Sequence, residues 1–426
     1  MAKSVVVIDG VRSPYVKSGS LFNDVSVVDL GRIVTTEVLA RAELDPSVID
    51  EVIFGNISQP AEAANVSRIV ALRSQIPRHV PAFTVQRNCA SGMQAIASAY
   101  DRIQAGEGDV FLCGGIESMS NIPILFPKSF ASKLSKLASA KSLPQKLMSF
   151  LGFRVSDFKP TIALLKGLTD PICGLNMGQT AEIIAREYRI SRLEQDEFSL
   201  LSHQKTISAQ EAGFFKNEIV PVYLDNKVVK EDVGPRKNQT LEALQRLRPF
   251  FDKKYGTITA GNSCPITDGG AAVVVTTEEK AIELGLKPKV RIVDYAFAGL
   301  DPARMGLGPA FSTAKLLKKT GLRISDIDLF EINEAFAAQV LANLKIFKDQ
   351  ELQKKLEFPV ELSQISMDRL NVNGGAIALG HPVGSSGTRI VITLMNEMIR
   401  RNVKRGLASL CIGGGQGGSM ILENCS

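Results

Sequence analysis

Apolar residues follow two rhythms along this chain: short unbroken runs, and longer stretches that repeat every three or four positions. The runs at 5–8 and 407–410 are typical of buried strands, whereas 28–39 and 388–399 have the spacing of amphipathic helices. Strands that alternate with helices in this way are typical of α/β domains built on parallel sheets. We therefore predict an α/β fold with mostly parallel sheets.

The same order of elements occurs twice, which indicates two related halves. A match without a gap aligns Leu44, Ile49 and Asp50 with Leu322, Ile327 and Asp328. Two further matches follow in the same order: Cys89-Ala90-Ser91-Gly92 with Gly384-Ser385-Ser386-Gly387, and 111–115 with 409–414. We expect residues 1–120 together with 250–280 to form the first half, and residues 281–426 to form the second.

Residues 121–249, between the halves, depart from this pattern and predict an inserted, mostly helical loop domain. Helical periodicity covers 177–189 and 191–211 within it. Long insertions of this kind usually carry function. We expect the insertion to lie over the active-site face of the first half.

The composition is that of an ordinary globular protein, with 45% apolar and 22% charged residues in a chain of 426. No apolar run approaches the roughly 18 residues of a membrane span. The first residues lack the features of a signal or transit segment, and the six cysteines include no CxxC pair. We therefore expect a cytoplasmic protein with free thiols and without a zinc site.

One part of the insertion carries the whole basic excess of the chain. The net charge is +6, and residues 121–169 contain eight lysines and arginines against one aspartate, which leaves all other residues together at −1. We call 128–166 the basic segment. Residues 121–169 have neither Trp nor Tyr for base stacking and no nucleic-acid-binding motif, so we predict no nucleic-acid partner.

Two residues far apart in the chain suggest nucleophilic chemistry. Cys89 follows the apolar stretch 81–85 and opens a helix over 92–104, whose unpaired N–H groups are expected to lower the pKa of the thiol. Taken alone, a free cysteine is more often a buried structural residue. His381 is one of three histidines and lies in a Gly-His-Pro loop, where its imidazole is suited to activate a thiol.

A second thiol completes the set. Cys411 ends the strand at 407–410, at the edge where α/β sheets place their ligands. Gly413 and the glycines beside it free backbone N–H groups to bind an oxyanion. Two thiols and an imidazole make and break thioesters without a metal, so we predict no metal site.

These motifs, taken together, resemble the thiolase family. The similarity includes the Cys89 turn, Asn333-Glu334-Ala335-Phe336, the Gly-His-Pro loop, the C-terminal Cys-x-Gly, and the blocks 247–252 and 257–270, in family order over essentially the whole chain. The long basic insertion resembles the beta subunit of the fatty-acid-oxidation multienzyme complex more than the short-chain biosynthetic thiolases.

The resemblance implies a five-layer α-β-α-β-α fold and cleavage of 3-oxoacyl-CoA by CoA in fatty acid β-oxidation. His381 would activate Cys89 as the covalent carrier, and His381 and a water on Asn333 would stabilise the acetyl-CoA enolate. Cys411 would move protons, and the N–H groups of Cys89 and Gly413 would hold the thioester oxyanion. The alternatives are a biosynthetic acetoacetyl-CoA thiolase and a non-catalytic CoA- or lipid-binding protein.

The resemblance also implies contacts with CoA, which is a co-substrate; we expect no permanently bound cofactor. The expected contacts are Arg236, Met177, Ser263 and Cys264. Cys264 stands where relatives carry a serine near the pantetheine, and Asn176 stands where many short-chain members carry a histidine. Both differences argue against short-chain specificity.

The expected partners follow from the same resemblance. We expect a homodimer core and an α2β2 assembly with a hydratase/dehydrogenase alpha subunit. Three interpretations of the basic segment stay open: a solvated lid surface, attraction to the phosphates of CoA, or docking on anionic lipid and a partner subunit. If the basic segment docks on anionic lipid, we expect the cytoplasmic protein to bind at the surface of the membrane.

Overall fold

The computed structural model describes residues 3–425 and contains one large mixed sheet with helices on its faces. Its strands are β1 Val5–Arg12, β2 Val16–Lys17, β3 Glu51–Gly55, β4 Ala82–Val85, β5 Val110–Glu117, β6 Ile124–Leu125, β7 Thr161–Ile162, β8 Val222–Leu224, β9 Lys227–Val229, β10 Thr267–Thr277, β11 Val290–Gly299, β12 Leu329–Ile332, β13 Arg405–Ile412 and β14 Gln416–Asn424. In this part of the chain the sheet runs β12-β13-β14-β11-β1-β10-β5-β3-β4, and β2 pairs with β10.

The helices predicted at 28–39, 177–189, 191–211 and 388–399 are all present, with ends that differ by a few residues. The α-helices are α1 Val27–Arg41, α2 Val66–Arg73, α3 Ser91–Ala105, α4 Lys128–Ser139, α5 Leu143–Leu151, α6 Ala163–Gly167, α7 Met177–Glu187, α8 Arg192–Glu211, α9 Leu241–Gln245, α10 Glu278–Glu283, α11 Gly308–Thr320, α12 Ala337–Lys348, α13 Gln350–Lys355, α14 Ala376–Leu379 and α15 Val383–Arg401.

The directions of the strands correct the expectation of mostly parallel sheets. Among the described strands, β3 is parallel to β4 and β5, and β12 is parallel to β13, whereas the other pairs of the large sheet are antiparallel. In each parallel pair the chain passes through at least one helix between the two strands. β13 instead reaches β14 through the short turn 413–415, which leaves only an antiparallel arrangement.

The two halves repeat one topology. β3, β5, β10 and β1 lie side by side in the first half with the same order and directions as β12, β13, β14 and β11 in the second. The halves join through a short β1–β11 contact of two residue pairs. This symmetry agrees with the sequence matches between the halves.

Helices divide the molecule into five α-β-α-β-α layers. α1 and α2 cover the outer face of the first half of the sheet, and α11 and α12 lie on the outer side of the second half. α3 and α15 form the middle layer, where Met93, Ile96, Ile390 and Leu394 share one buried cluster.

The inserted segment folds partly on itself. The pair β6–β7 brackets α4 and α5, and a cluster of aromatic rings packs around Phe130, including Phe126, Phe153 and Phe158. α5 and the turn that follows leave Leu143 and Val155 with 82% and 92% of their surface exposed. Within residues 3–425, no helix combines the length and hydrophobicity of a membrane span.

α3 and α15 cross with their backbones almost in contact. A Cβ added at Gly387 would lie 2.5 Å from the backbone nitrogen of Met93, and one added at Gly92 would lie 2.8 Å from that of Thr388. Glycine is required on both sides of this crossing because no side chain fits between the helices. The crossing lies just beyond Cys89 in one half and His381 in the other.

Replacing Gly387 with alanine tests this constraint. We expect Gly387→Ala to lower the free energy of unfolding by about 1–3 kcal/mol, because the added methyl group overpacks the crossing. This loss is expected even though alanine stabilises an isolated helix by about 1 kcal/mol relative to glycine. The measurement is urea unfolding followed by circular dichroism. Gly167→Ala in α6 is the control, because a Cβ there meets nothing within 4 Å. Equal stability of the two variants would contradict the constraint.

Candidate active site

Cys89 lies in a tight turn between β4 and α3. Asn88 adopts the left-handed conformation, with φ of 42°. The hydroxyl of Ser91 accepts a hydrogen bond from the backbone nitrogen of Arg87 at 2.9 Å and donates to the carbonyl of Asn88 at 2.7 Å. α3 begins only at Ser91, so Cys89 precedes the helix by two residues and its side chain is half-buried.

The C-terminal glycine turn approaches this cysteine. The Asn88 amide donates to the carbonyl of Gly413 at 2.7 Å, which ties the two turns together. The backbone N–H groups of Gly413 and of Cys89 itself favour the charged form of the Cys89 thiol and therefore lower its pKa. A carbonyl oxygen on an acyl group bonded to Cys89 would lie close to the same two N–H groups, which makes them candidate donors to an oxyanion.

The expectation of a lowered thiol pKa at Cys89 is wrong. Burial raises the pKa of Cys89 and outweighs the two backbone N–H groups, which act in the opposite direction. Burial also raises the pKa of Cys264 to about 12 and that of Cys411 well above its ordinary value. Cys89 contributes to both of these shifts, which places the three thiols near one another. We infer that the resting site holds neutral thiols.

His381 presents an unprotonated nitrogen. Its Nδ1 lies 2.6 Å from the hydroxyl oxygen of Ser386, and that hydroxyl donates its one proton to the carbonyl of Pro382 at 3.1 Å. The oxygen must therefore accept from Nδ1–H, which leaves Nε2 as the acceptor. Nε2 is buried and has no hydrogen-bond partner within residues 3–425.

The surroundings of His381 also keep its ring neutral. Burial, together with the positive charge of Arg389, lowers the pKa of His381 to about 4. Gly380 before it has φ of 109°, a conformation that favours glycine, and packs on Thr267. The His381 backbone nitrogen donates to the carbonyl of Pro265 at 3.3 Å. A neutral imidazole with a free acceptor is suited to take the proton of a thiol.

Asn333 lies at the end of β12 and is almost fully buried. Its Oδ1 accepts from the Arg389 guanidinium at 3.3 Å, and its Nδ2 has no partner in the described part of the chain. The next residue, Glu334, accepts from Ser202 Oγ at 2.6 Å, Asn371 Nδ2 at 2.9 Å and the Ile377 nitrogen at 3.2 Å. Glu334 thereby anchors the loop that leads to His381.

The four expected CoA contacts lie in different surroundings. Met177 is next to the glycine turn, with its sulfur 3.3 Å from where a Gly413 Cβ would lie. Cys264 donates its backbone N–H to Ala335 at 3.0 Å and influences the pKa of Cys411. The hydroxyl of Ser263 donates to a backbone carbonyl at 2.7 Å, and Arg236 is exposed.

Sequence reasoning missed the roles of three residues. Ser386 sets the imidazole tautomer, Arg389 holds Asn333, and Glu334 anchors the histidine loop. An arginine within the apolar stretch 388–399 was a signal for Arg389, because a buried charge requires a partner. Residues 3–425 contain no cluster of three or more His, Cys, Asp or Glu side chains that could hold a metal ion.

Comparison with known proteins finds similarity over nearly the whole chain. The family model described as "Thiolase, N-terminal domain" matches residues 5–279, and "Thiolase, C-terminal domain" matches 286–424. A 3-ketoacyl-CoA thiolase of Yersinia enterocolitica is 38% identical over 423 residues, which cover 98% of this chain and 96% of that protein.

Solved structures agree with the fold. An acetyl-CoA acetyltransferase of Bacillus anthracis superposes with a TM-score of 0.86 and 38% identity over 99% of each chain. Human mitochondrial 3-ketoacyl-CoA thiolase in complex with CoA superposes with a TM-score of 0.86 and 36% identity over the full length of both chains.

The lowered pKa of His381 gives a direct prediction for NMR. At pH 5, a group with a pKa of about 4 is protonated in only about a tenth of molecules, so the His381 signal keeps its neutral shift down to that pH. The measurement is a titration of protein carrying ¹³C-labelled histidine, with the signal assigned by its loss in His381→Asn. A midpoint between pH 6 and 7 would contradict the neutral imidazole.

Proposed function

The chain belongs to the thiolase family and is an acyltransferase, and on that premise we propose that it is a 3-ketoacyl-CoA thiolase of fatty acid β-oxidation. It would cleave 3-oxoacyl-CoA with CoA into acetyl-CoA and a shortened acyl-CoA, through an acyl group on Cys89. One observation carries the proposal: the N–H groups of Cys89 and Gly413 favour a negative charge at Cys89, while His381 keeps an acceptor nitrogen without a partner among the described residues.

The first step forms the bond to sulfur. His381 Nε2 takes the proton of Cys89, and the thiolate attacks the 3-keto carbon of the substrate. The developing oxyanion lies between the N–H groups of Cys89 and Gly413. Loss of one such donor typically costs about 3–4 kcal/mol of transition-state stabilisation. The raised pKa of Cys89 fits a thiol that loses its proton only when substrate is in place.

The second step breaks the carbon–carbon bond. The electron pair of that bond moves to the acetyl-CoA fragment, whose enolate oxygen is stabilised by His381 and by a water bound to Asn333 Nδ2. Cys411 then protonates the carbanion, which releases acetyl-CoA. The raised pKa of Cys411 keeps its proton available for this transfer.

The third step regenerates the enzyme. The Cys411 thiolate takes the proton of incoming CoA, whose sulfur attacks the acyl group on Cys89, and His381 returns its proton to the Cys89 sulfur as it leaves. CoA is the co-substrate, and the likeness to the human mitochondrial thiolase in complex with CoA supports this. Met177 and Cys264 would contact the pantetheine arm, with Ser263 beside it and Arg236 at the nucleotide.

The proposal extends to assembly and location. β4 lies at the end of the sheet with half-buried side chains, an edge suited to a homodimer. The basic segment, with its exposed apolar helix α5, supports docking of a cytoplasmic protein on anionic lipid or on a hydratase/dehydrogenase subunit of an α2β2 complex. Flotation with anionic vesicles at low and high salt tests the lipid contact, and indifference in both conditions contradicts it.

A biosynthetic acetoacetyl-CoA thiolase is the second candidate, because the acetyl-CoA acetyltransferase of Bacillus anthracis is 38% identical to this chain. We expect the degradative role, and hence faster turnover of a C16 than of a C4 3-oxoacyl-CoA. The measurement is kcat/KM across a chain-length series. A clear preference for the C4 substrate would favour the biosynthetic role.

Intact mass spectrometry tests the nucleophile. We expect acyl-CoA to leave one acyl group on the protein, and Cys89→Ser to lose both the thioester and about 10³-fold or more of the thiolysis rate. Cys264→Ser is the control, since it changes a thiol of the same site that the proposal gives no covalent role. An acyl thioester that survives Cys89→Ser, or one lost in Cys264→Ser, would contradict the assignment.

A further inference from the structure

Arg389 is a fully buried arginine in the middle layer, two helical turns beyond His381. One arm of its guanidinium forms an ion pair with Glu331, and the other donates to Asn333 Oδ1 at 3.3 Å. Glu331 and Asn333 lie at the end of β12, so the arginine connects α15 to that strand end. The steps of the proposed reaction leave it without a role.

The contact with Arg389 determines which way the Asn333 amide points. A guanidinium has only donors, so the amide must turn its carbonyl oxygen toward the arginine. The opposite orientation would bring N–H groups of both side chains together and leave the oxygen without this partner. Nδ2 therefore points away from Arg389, and it has no other partner among the described residues.

A second buried polar atom lies in the same site without a partner. His381 Nε2 has none within residues 3–425, and the residue is buried. Both segments are held by the same short stretch: His381 N–H donates to the Pro265 carbonyl at 3.3 Å, and the Cys264 N–H donates to the Ala335 carbonyl at 3.0 Å. Buried polar groups usually bind a partner, so each of these two atoms can bind a water or a substrate oxygen.

We propose that Arg389 is a positioning residue for carbon–carbon bond cleavage, because it holds the Asn333 amide with Nδ2 free to bind the water that stabilises the enolate oxygen. This inference rests on the proposed function. When the bond breaks, its electron pair passes to the acetyl-CoA fragment and the shortened acyl group stays on the Cys89 sulfur. Arg389 moves no proton; it keeps a donor where the negative charge develops.

The proposal separates the two half-reactions. Acyl transfer between CoA and Cys89 places its oxyanion on the N–H groups of Cys89 and Gly413, which Arg389 does not touch. Cleavage of the 3-oxoacyl chain also requires the donor on Asn333. A change at Arg389 should therefore slow cleavage and spare acyl transfer, whereas general damage to the site would slow both.

Arg389→Lys is the test variant, because it keeps the charge and loses the two-armed geometry. We expect single-turnover acylation by acyl-CoA, measured as CoA release and adduct mass, to stay within about twofold of the parent protein. Cleavage of 3-oxoacyl-CoA should fall by about 10²-fold, the typical loss of one oxyanion donor. An equal fall in both half-reactions would overturn the proposal.

A double-variant cycle shows whether Arg389 acts through Asn333. In an Asn333→Ala background, we expect Arg389→Lys to change cleavage by no more than about twofold, because the amide it positions is gone. If instead the losses of the two single variants multiply, Arg389 acts independently of Asn333 and the proposal is wrong.

If Arg389→Lys does not fold, a double variant provides the same test. Arg389→Gln with Glu331→Gln removes both charges of the ion pair together, and a glutamine that both donates and accepts imposes no single amide orientation. The Arg389 charge also lowers the pKa of His381, so the comparison is made at pH 8, where the imidazole is neutral with or without that charge. The same split between half-reactions is expected there, and an equal loss in both contradicts the proposal. Absence of a Cys89 adduct in the parent protein would instead contradict the proposed function itself.

Discussion

The near contact of the α3 and α15 backbones is the constraint on which the site depends. Each helix follows the loop or turn that carries one reactive side chain, Cys89 in the first half and His381 in the second. Because Gly92 and Gly387 leave no room between the helices, their separation is set by backbone atoms and cannot be adjusted by a change of side-chain rotamer. Proton transfer between a thiol and an imidazole requires them within hydrogen-bond reach, and a crossing of this kind holds two distant parts of the chain at a constant distance.

Burial decides the resting state of the chemistry. The thiols and the imidazole are all shifted toward their neutral forms, the thiols upward in pKa and His381 downward. The polarity of the site resides in atoms that lack partners, namely His381 Nε2 and Asn333 Nδ2 in the described chain. An unsatisfied buried group of this kind costs about 1–3 kcal/mol. A substrate oxygen or an ordered water that binds to these atoms removes this cost, which favours binding of a ligand at this place.

Much of this organisation could be predicted from sequence because its signals are local. The apolar periodicity placed α1 and α15, and glycines beside rare residue types pointed to Cys89, His381 and the turn that includes Gly413. Strand direction depended on connections that periodicity does not report, such as the short turn from β13 to β14. The pKa of Cys89 depended on the balance between desolvation and two N–H groups, which exists only in the folded chain. Ser386 and Arg389 act through side-chain contacts that form only in the folded protein, so their roles could not be predicted from a pattern along the chain.

The serine that closes the Cys89 turn has a counterpart in the second copy of the repeat. Ser91 and Ser386 occupy matched positions, and each hydroxyl donates to a backbone carbonyl just before it, that of Asn88 in one case and Pro382 in the other. The oxygen of Ser91 accepts from the main chain, whereas the oxygen of Ser386 accepts from an imidazole. The same serine-to-carbonyl hydrogen bond thus stabilises a turn of the main chain in one copy. In the other copy it also determines which nitrogen of the imidazole carries the proton.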